Sequence, residues 1–185
     1  RLLIADINGD NFQEITREME IVRLGQGVDA TGKFDPEAIE RTLTATRRYA
    51  EIIASKGVER IRFCATSATR DASNRDLFID GVREILGIEP EVIPGTEEAA
   101  LSFIGATKGL VHTESPYLVV DIGGGSTEFV LGTTEVEYAK SVNIGCVRMS
   151  ERHLNKAPQD PLAIQRAIQD IDAAIADAAY IVPIK

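Results

Sequence analysis

A run of three glycines separates two apolar segments of the chain: Gly123, Gly124 and Gly125. Glycine lets the backbone turn tightly and lets a ligand approach the main-chain N–H groups closely. Ser126 and Thr127 follow with hydroxyl groups that can donate further hydrogen bonds. This loop predicts a phosphate cradle. The alternative is a glycine hairpin flanked by solvated carboxylates.

Two carboxylates bound the loop. Asp121 follows four apolar residues directly, and Glu128 stands at the far end. A carboxylate beside a bound phosphate can hold Mg²⁺ or a metal-bound water, so Asp121 is a candidate metal ligand. The segment lacks the Gly-Lys-Ser/Thr of a P-loop, and a strand rather than a helix is expected after it. Both features exclude the two common nucleotide-binding glycine motifs.

The charge of the whole chain limits its partners. The 185 residues include 20 basic and 29 acidic side chains, which gives a net charge of −9. An acidic protein is a poor non-specific binder of nucleic acid, whereas an anionic substrate needs a locally basic site. No run approaches the roughly 18 apolar residues of a membrane span. We therefore expect neither nucleic acid nor a membrane as partner, and no secretory signal is visible.

The two cysteines, Cys64 and Cys146, have no metal-ligand spacing and are too few for a disulfide scaffold. They favour free thiols and a cytoplasmic protein. We expect Cys146 to pack in the core.

The elements that must position the loop follow from periodicity and turn residues. In the first half, Asp35-Pro36 caps a helix that ends at Lys56-Gly57. The remaining elements predicted before the linker are a meander of strands 2–7, 12–17 and 19–24 with a turn at Asn8-Gly9-Asp10, a strand 60–65, a helix 74–86, a strand 91–94 and a helix from Thr96.

A polar linker, 108–116, precedes the second half. We predict strands over 117–122, 129–132 and 137–142, a helix over 161–179 with an isoleucine face, and a further strand in 180–185. Each half therefore begins with a β-meander and passes into helices, with a boundary near 107–116.

Four motifs in order resemble one family. VVDIGGGSTE is preceded by IPGTEEA at 93–99 and by ATSATR at 65–70, and is followed by NIGCVR at 143–148. Together they resemble the exopolyphosphatase/guanosine pentaphosphate phosphatase (Ppx/GppA) family of the actin-like ATPase superfamily, in its short actinobacterial form.

The resemblance implies an α/β fold of two ribonuclease-H-like domains with the active site in the cleft between them. Domain I would be 1–107 and domain II would begin at 116 and include 116–185. Relatives carry a first phosphate loop before the strand equivalent to Arg1–Ala5, and their second domain continues. We expect the natural protein to have both pieces.

The resemblance also implies residue roles. Glu98 matches the catalytic base that activates a water, with an ordinary first-turn helix residue as the alternative. Asp121 and Glu128 match metal-associated carboxylates, and the loop 123–126 matches a phosphate loop. Arg70 matches an arginine near the substrate, with a solvated Arg70-Asp71 pair as the alternative.

The implied function is hydrolysis of the terminal phosphoanhydride of polyphosphate, with Mg²⁺ or Mn²⁺ as cofactor. The alternatives are 5′-phosphate hydrolysis of pppGpp, phosphoryl transfer by a kinase or ATPase of the same superfamily, and a binding module for polyphosphate or (p)ppGpp without turnover. The PGTEEA run argues against the kinase. A homodimer is a further assembly compatible with the resemblance.

Overall fold

The computed structural model describes residues 1–9, 11–110, 115–158 and 160–184 and has a mixed α/β fold. The elements of the first half are β1 (Leu2–Asn8), β2 (Asn11–Glu18), α1 (Val28–Thr31), α2 (Pro36–Ser55), β3 (Cys64–Ala65), α3 (Ser67–Asp71), α4 (Asp76–Leu86), β4 (Glu91–Val92) and α5 (Gly95–Thr107). Those of the second half are β5 (Tyr117–Ile122), β6 (Thr127–Gly132), β7 (Val136–Val142), α6 (Cys146–His153) and α7 (Pro161–Ile181).

The capping residues place the two long helices where the sequence predicts them. The Asp35 side chain accepts the N–H of Glu37 at 2.7 Å, and the Asp160 side chain accepts the N–H of Leu162 at 3.0 Å. Each cap is followed by a proline at the first helical position. Helix α2 buries Ile39 and Leu43 against Phe78 of α4, and this cluster is the core of the first half.

The second half is built on an antiparallel sheet in the order β5-β6-β7. Side chains alternate between its two faces, as strand geometry requires. One face packs on α5 through Phe103 and Val130, both 0% exposed. The other face packs on α6 and α7 through Phe129, Met149 and Ala178. The sheet is therefore covered on both sides by helices.

Helix α5 connects the two halves of the chain. It precedes the linker in sequence, yet its buried side chains Ala99 and Phe103 lie against the sheet of the second half. The helix therefore lies beside the strands that carry the glycine loop. The domain limits 1–107 and 116–185 stay a prediction.

Two predicted strands are wrong, and a third is shorter than predicted. Residues 19–24 form no strand, because Met19 and Ile21 are exposed and Arg23 adopts a left-handed φ of 51° before a turn. The strand predicted over 60–65 is reduced to β3, which pairs in parallel with β4. Residues 180–184 are not a strand, since α7 continues to Ile181.

The structure also corrects two packing predictions. Cys146 is exposed as the first residue of α6, which buries Met149 instead. Helix α7 buries the small residues Ala163, Ala167 and Ala178, while Ile164, Ile168 and Ile175 remain partly exposed. Asp10 of the predicted turn and residues 111–114 of the predicted linker lie outside the described residues. Within the described ranges, no helix has the length and apolar character needed to cross a membrane.

Candidate active site

Three polar side chains form one rung of the sheet beside the glycine loop. Asp121 of β5 pairs in register with Glu128 of β6, and Glu128 pairs with Ser141 of β7. Directly paired residues point to the same face. The next rung on that face, Val119, Val130 and Ala139, is the apolar floor under α5. The sheet thus changes from apolar to polar where the loop begins.

Helix α5 places two further polar residues above this rung. Glu98 and Ser102 are four residues apart, so they lie on the same side of the helix. The Ser102 hydroxyl donates a hydrogen bond to Oδ2 of Asp121. The helix that carries the predicted base therefore also holds the predicted metal-associated carboxylate.

Arg70 and Glu98 form an ion pair inside the site. Nη1 of Arg70 donates to Oε2 of Glu98 at 3.1 Å and to the carbonyl of Ile93 at 2.6 Å. The two side chains are only 25% and 16% exposed, so the solvated-surface alternative for Arg70 is wrong. Desolvation raises the pKa of Glu98 above its usual value, and the neighbouring Glu128 raises it further, whereas Arg70 opposes both.

Glu128 is buried with one oxygen unpaired. The residue is 1% exposed, and its Oε1 accepts the hydroxyl of Ser141 at 2.7 Å. Its Oε2 has no hydrogen-bond partner among the described residues. A buried carboxylate oxygen without a partner is costly, so a cation bound at this position would be stabilising.

The donor set fits a magnesium ion that shares its ligands with substrate. Within the described ranges, no group of three or more His, Cys, Asp or Glu side chains could hold a metal by itself. Mg²⁺ is commonly held by one or two carboxylates plus waters and substrate phosphates. Asp121 and the unpaired Oε2 of Glu128 match that pattern, and the described residues form no closed all-protein cage.

The carbonyl groups of the glycine loop all bind α6. Those of Gly123 and Gly124 accept the backbone N–H groups of Cys146 and Val147, each at 3.0 Å. The carbonyl of Gly125 accepts Nε of Arg148 at 2.7 Å. In a trans peptide the N–H points opposite to the carbonyl of the same plane. The next three N–H groups in the loop therefore point away from α6.

These three N–H groups match the predicted cradle, and their binding of phosphate stays a prediction. The amides of Gly124, Gly125 and Ser126 donate no hydrogen bond to any described residue. Successive free N–H groups on one side of a turn make an anion-binding concavity. Thr127 does not extend it, because its hydroxyl donates to the carbonyl of Ile144 at 2.6 Å.

Gly145 lets α6 approach the loop this closely. A Cβ atom at this position would lie 2.5 Å from the carbonyl carbon and oxygen of Gly124 and 2.6 Å from the nitrogen of Gly125. Because these are backbone atoms, no side-chain rotation could relieve the contact. The NIGCVR segment thus supports the back of the cradle.

The structure brings together Arg70, Glu98, Asp121 and Glu128 around the start of α5, at the strand ends that carry the glycine loop. Sequence reasoning missed Ser102, Ser141 and Arg148. The spacing of Ser102 from Glu98 on one helix face could have identified the first. Ser141 reaches Glu128 through the register of two strands, and Arg148 reaches the glycine loop through a tertiary contact. Neither relation can be predicted from the sequence.

Known proteins share sequence and fold with this chain. The sequence model of the Ppx/GppA phosphatase family matches residues 3–185. Exopolyphosphatase 2 of Mycobacterium tuberculosis is 46% identical over 194 residues, covering 100% of this chain and 61% of that protein. A guanosine-5′-triphosphate,3′-diphosphate pyrophosphatase of Photobacterium profundum is 34% identical, covering 82% of this chain and 30% of that protein.

A solved structure described as an exopolyphosphatase-like protein superposes with a TM-score of 0.92 at 48% identity, covering 97% of this chain and 58% of that one. The chain thus spans about three fifths of the length of that protein and of the mycobacterial relative.

Proposed function

The chain belongs to the Ppx/GppA phosphatase family, and we propose that the protein is an exopolyphosphatase, which hydrolyses the terminal phosphoanhydride of inorganic polyphosphate and releases phosphate. The observation that carries the proposal is the placement of Glu98. Its half-buried carboxylate lies beside Glu128 and is oriented by Arg70, at the end of the sheet that presents the free loop amides.

Glu98 is the general base of the proposed reaction. Its carboxylate accepts a proton from a water that attacks the terminal phosphorus, while the P–O bond to the shortened polyphosphate breaks. The raised pKa makes the carboxylate a stronger base than an exposed glutamate. The Arg70 guanidinium orients this carboxylate by donating to one of its oxygens.

Hydrogen-bond donors that are already held in position before the substrate binds stabilise the charge on the transferred phosphoryl group. The amides of Gly124, Gly125 and Ser126 donate to its oxygens, since the carbonyls of the loop are already held by α6. Nη2 of Arg70 has no hydrogen-bond partner among the described residues and supplies a further donor. Fixed donors of this kind stabilise transition-state charge without reorganisation.

Asp121 and Glu128 would hold Mg²⁺ or Mn²⁺ together with substrate phosphates and water. The ion, when bound, would neutralise charge on the phosphate oxygens. Ser102 and Ser141 would keep the two carboxylates oriented, since each hydroxyl donates to one of them.

The wider arrangement is part of the proposal. Two ribonuclease-H-like domains, 1–107 and 116–185 with its continuation, would enclose the substrate in a cleft, and the pairing of α1 with α6 supports contact between the halves. The free thiols of Cys64 and Cys146 support a cytoplasmic setting.

A second candidate is hydrolysis of the 5′-terminal phosphate of pppGpp. The similar protein from Photobacterium profundum, named for a guanosine substrate, favours testing it. Both substrates present a terminal phosphoanhydride, and the same base and amides would serve either one.

The test is phosphate release by the full-length protein from polyphosphate and from pppGpp, with and without Mg²⁺. We expect release from polyphosphate to require the metal, and Glu98→Gln to lose about 10²–10⁴ in kcat, the usual contribution of a general base. The amide cannot accept a proton at neutral pH but keeps the shape of the side chain.

Glu97→Gln is the matched control. Glu97 neighbours Glu98 but is exposed and pairs with Arg62 at 2.6 Å, so its loss should leave kcat near normal. Near-normal turnover in Glu98→Gln would remove Glu98 as the base. Faster release from pppGpp than from polyphosphate would favour the second candidate.

A further inference from the structure

The segment NIGCVR ends in an arginine that the reaction above does not use. Arg148 lies in the first turn of α6, and its side chain is only 12% exposed between the two halves of the chain. Every nitrogen of its guanidinium donates to a different acceptor. A buried cation that satisfies three partners at once is held in one orientation.

The three partners come from three separate elements. Nε donates to the carbonyl of Gly125 at 2.7 Å. Nη1 donates to Oδ1 of Asp29 in α1 at 2.6 Å, and Nη2 donates to Oδ2 of Asp71 in α3 at 2.5 Å. Asp71 directly follows Arg70 in the chain. Arg148 therefore joins the glycine loop to the helix that carries the arginine beside Glu98.

We propose that Arg148 is a positioning residue for the phosphate cradle, an inference that rests on the proposed function. By holding the carbonyl of Gly125, it directs the N–H of Ser126 to the opposite side of that peptide plane. By binding Asp71, it fixes the distance between the loop amides and the guanidinium of Arg70. Arg148 contacts no reacting atom and acts through these groups.

Arg152 provides a matched control on the same helix. It lies one turn later and also binds Asp29, with Nη2 at 2.8 Å from Oδ1, but among the described residues it donates no hydrogen bond to the glycine loop. If Arg148 merely tied α1 to α6, removing either arginine would have the same effect. A role in positioning the cradle predicts that only Arg148 affects phosphate binding.

The experiment measures KM and kcat for polyphosphate, and separately the affinity for tripolyphosphate by calorimetry, in the full-length protein. The variants are Arg148→Ala, Arg148→Lys and Arg152→Ala. We expect both Arg148 variants to raise KM and the tripolyphosphate Kd about tenfold, the factor expected for loss of a hydrogen bond to a charged donor. Arg152→Ala should leave both within about twofold.

Arg148→Lys keeps the charge but has a single ammonium that cannot reach three acceptors, so it decides the question if Arg148→Ala fails to fold. The proposal is overturned if Arg148→Lys binds tripolyphosphate like wild type, or if Arg152→Ala weakens binding equally. Failure of the proposed function would show differently, as absence of phosphate release by the wild-type protein.

Discussion

The proposed reaction gives Arg70 two roles, substrate binding and orientation of Glu98, whereas the sequence suggests only the first. The resemblance places Arg70 near the substrate, where a free guanidinium could bind two phosphate oxygens. Its Nη1, however, is already bound to Glu98 and to the carbonyl of Ile93. Only the remaining donors can face a substrate. In the proposed reaction Arg70 therefore connects substrate binding with the orientation of the base, and its loss should affect kcat as well as KM.

Arg70→Lys tests this double role. The lysine keeps the charge but cannot hold Glu98 and Ile93 while also donating to phosphate, so we expect KM to rise and kcat to fall about tenfold or more. Steady-state kinetics on polyphosphate measure both effects. Arg83→Lys, at an exposed arginine that pairs with Asp80 and Glu89, is the control. A rise in KM with unchanged kcat would contradict the contact with the base.

At the scale of single residues, the candidate base, the candidate metal ligands and the glycine loop could be predicted from the sequence. Glu98, Asp121, Glu128 and the three glycines stand in recognisable runs. It missed Ser102 and Ser141, because serines are common and their importance depends on which carboxylate lies opposite. Thr127 was expected to face phosphate, but strand register directs its hydroxyl to Ile144.

Helix α6 shows why an element can escape sequence prediction. Its N-cap Gly145 provides no side-chain cap, and the helix has only eight residues. The first N–H groups are satisfied instead by carbonyls of the glycine loop, 23 or 24 positions earlier in the chain. By contrast, α2 and α7 carry local Asp-Pro caps, so their start residues could be predicted.

Gly145→Ala tests the support that α6 gives to the cradle. The added Cβ would meet the backbone of the loop at 2.5 Å, so one element must move. We expect a loss of about 1–3 kcal/mol of unfolding free energy, typical of overpacking, and a higher KM for polyphosphate. Urea unfolding and kinetics measure the two effects.

The control is Gly105→Ala, in the exposed part of α5, where a Cβ has no heavy atom within 4 Å. Alanine there should be neutral or stabilise the helix by about 0.5–1 kcal/mol. Equal behaviour of the two variants would contradict close packing at Gly145.

The contact between α1 and α6 should make stability depend on pH. Hydrogen bonds from Arg152, and then from Arg148, hold the pKa of Asp29 below its usual value. A carboxyl with a lowered folded-state pKa stabilises the protein above its unfolded pKa, and this contribution is lost as the pH falls through the folded pKa. The ion pair therefore stabilises at neutral pH and not in strong acid.

Asp29→Asn should cost on the order of 1–3 kcal/mol of unfolding free energy at about pH 7, and much less at about pH 3. Urea unfolding of both proteins at the two pH values measures this. Asp80→Asn, which removes an exposed partner of Arg83, should cost less than about 1 kcal/mol at either pH. A cost for Asp29→Asn that does not change with pH would contradict the ion pair.

Taken as a whole, the molecule is an acidic protein that we propose binds a polyanion. The net charge of −9 repels such a substrate at long range, so binding depends on local donors: Arg70, the loop amides and a metal. We expect KM for polyphosphate to rise with added salt, because cations bound to the polyanion must be released when the local donors bind it. A KM that stays constant from low to high salt would contradict this view.

Helix α5 places its buried side chains on a sheet that follows it in the chain, across residues 108–116. Phe103, with no exposed surface, lies against Val130 there, and the ion pairs of Arg148 with Asp29 and Asp71 join the same two parts. The peptide bonds between Leu110 and Ser115 are therefore not what keeps the parts together. A protein cleaved between these residues should therefore stay associated, and the two pieces produced separately should bind each other. The reason is that the contact between them buries apolar side chains as completely as a protein core does.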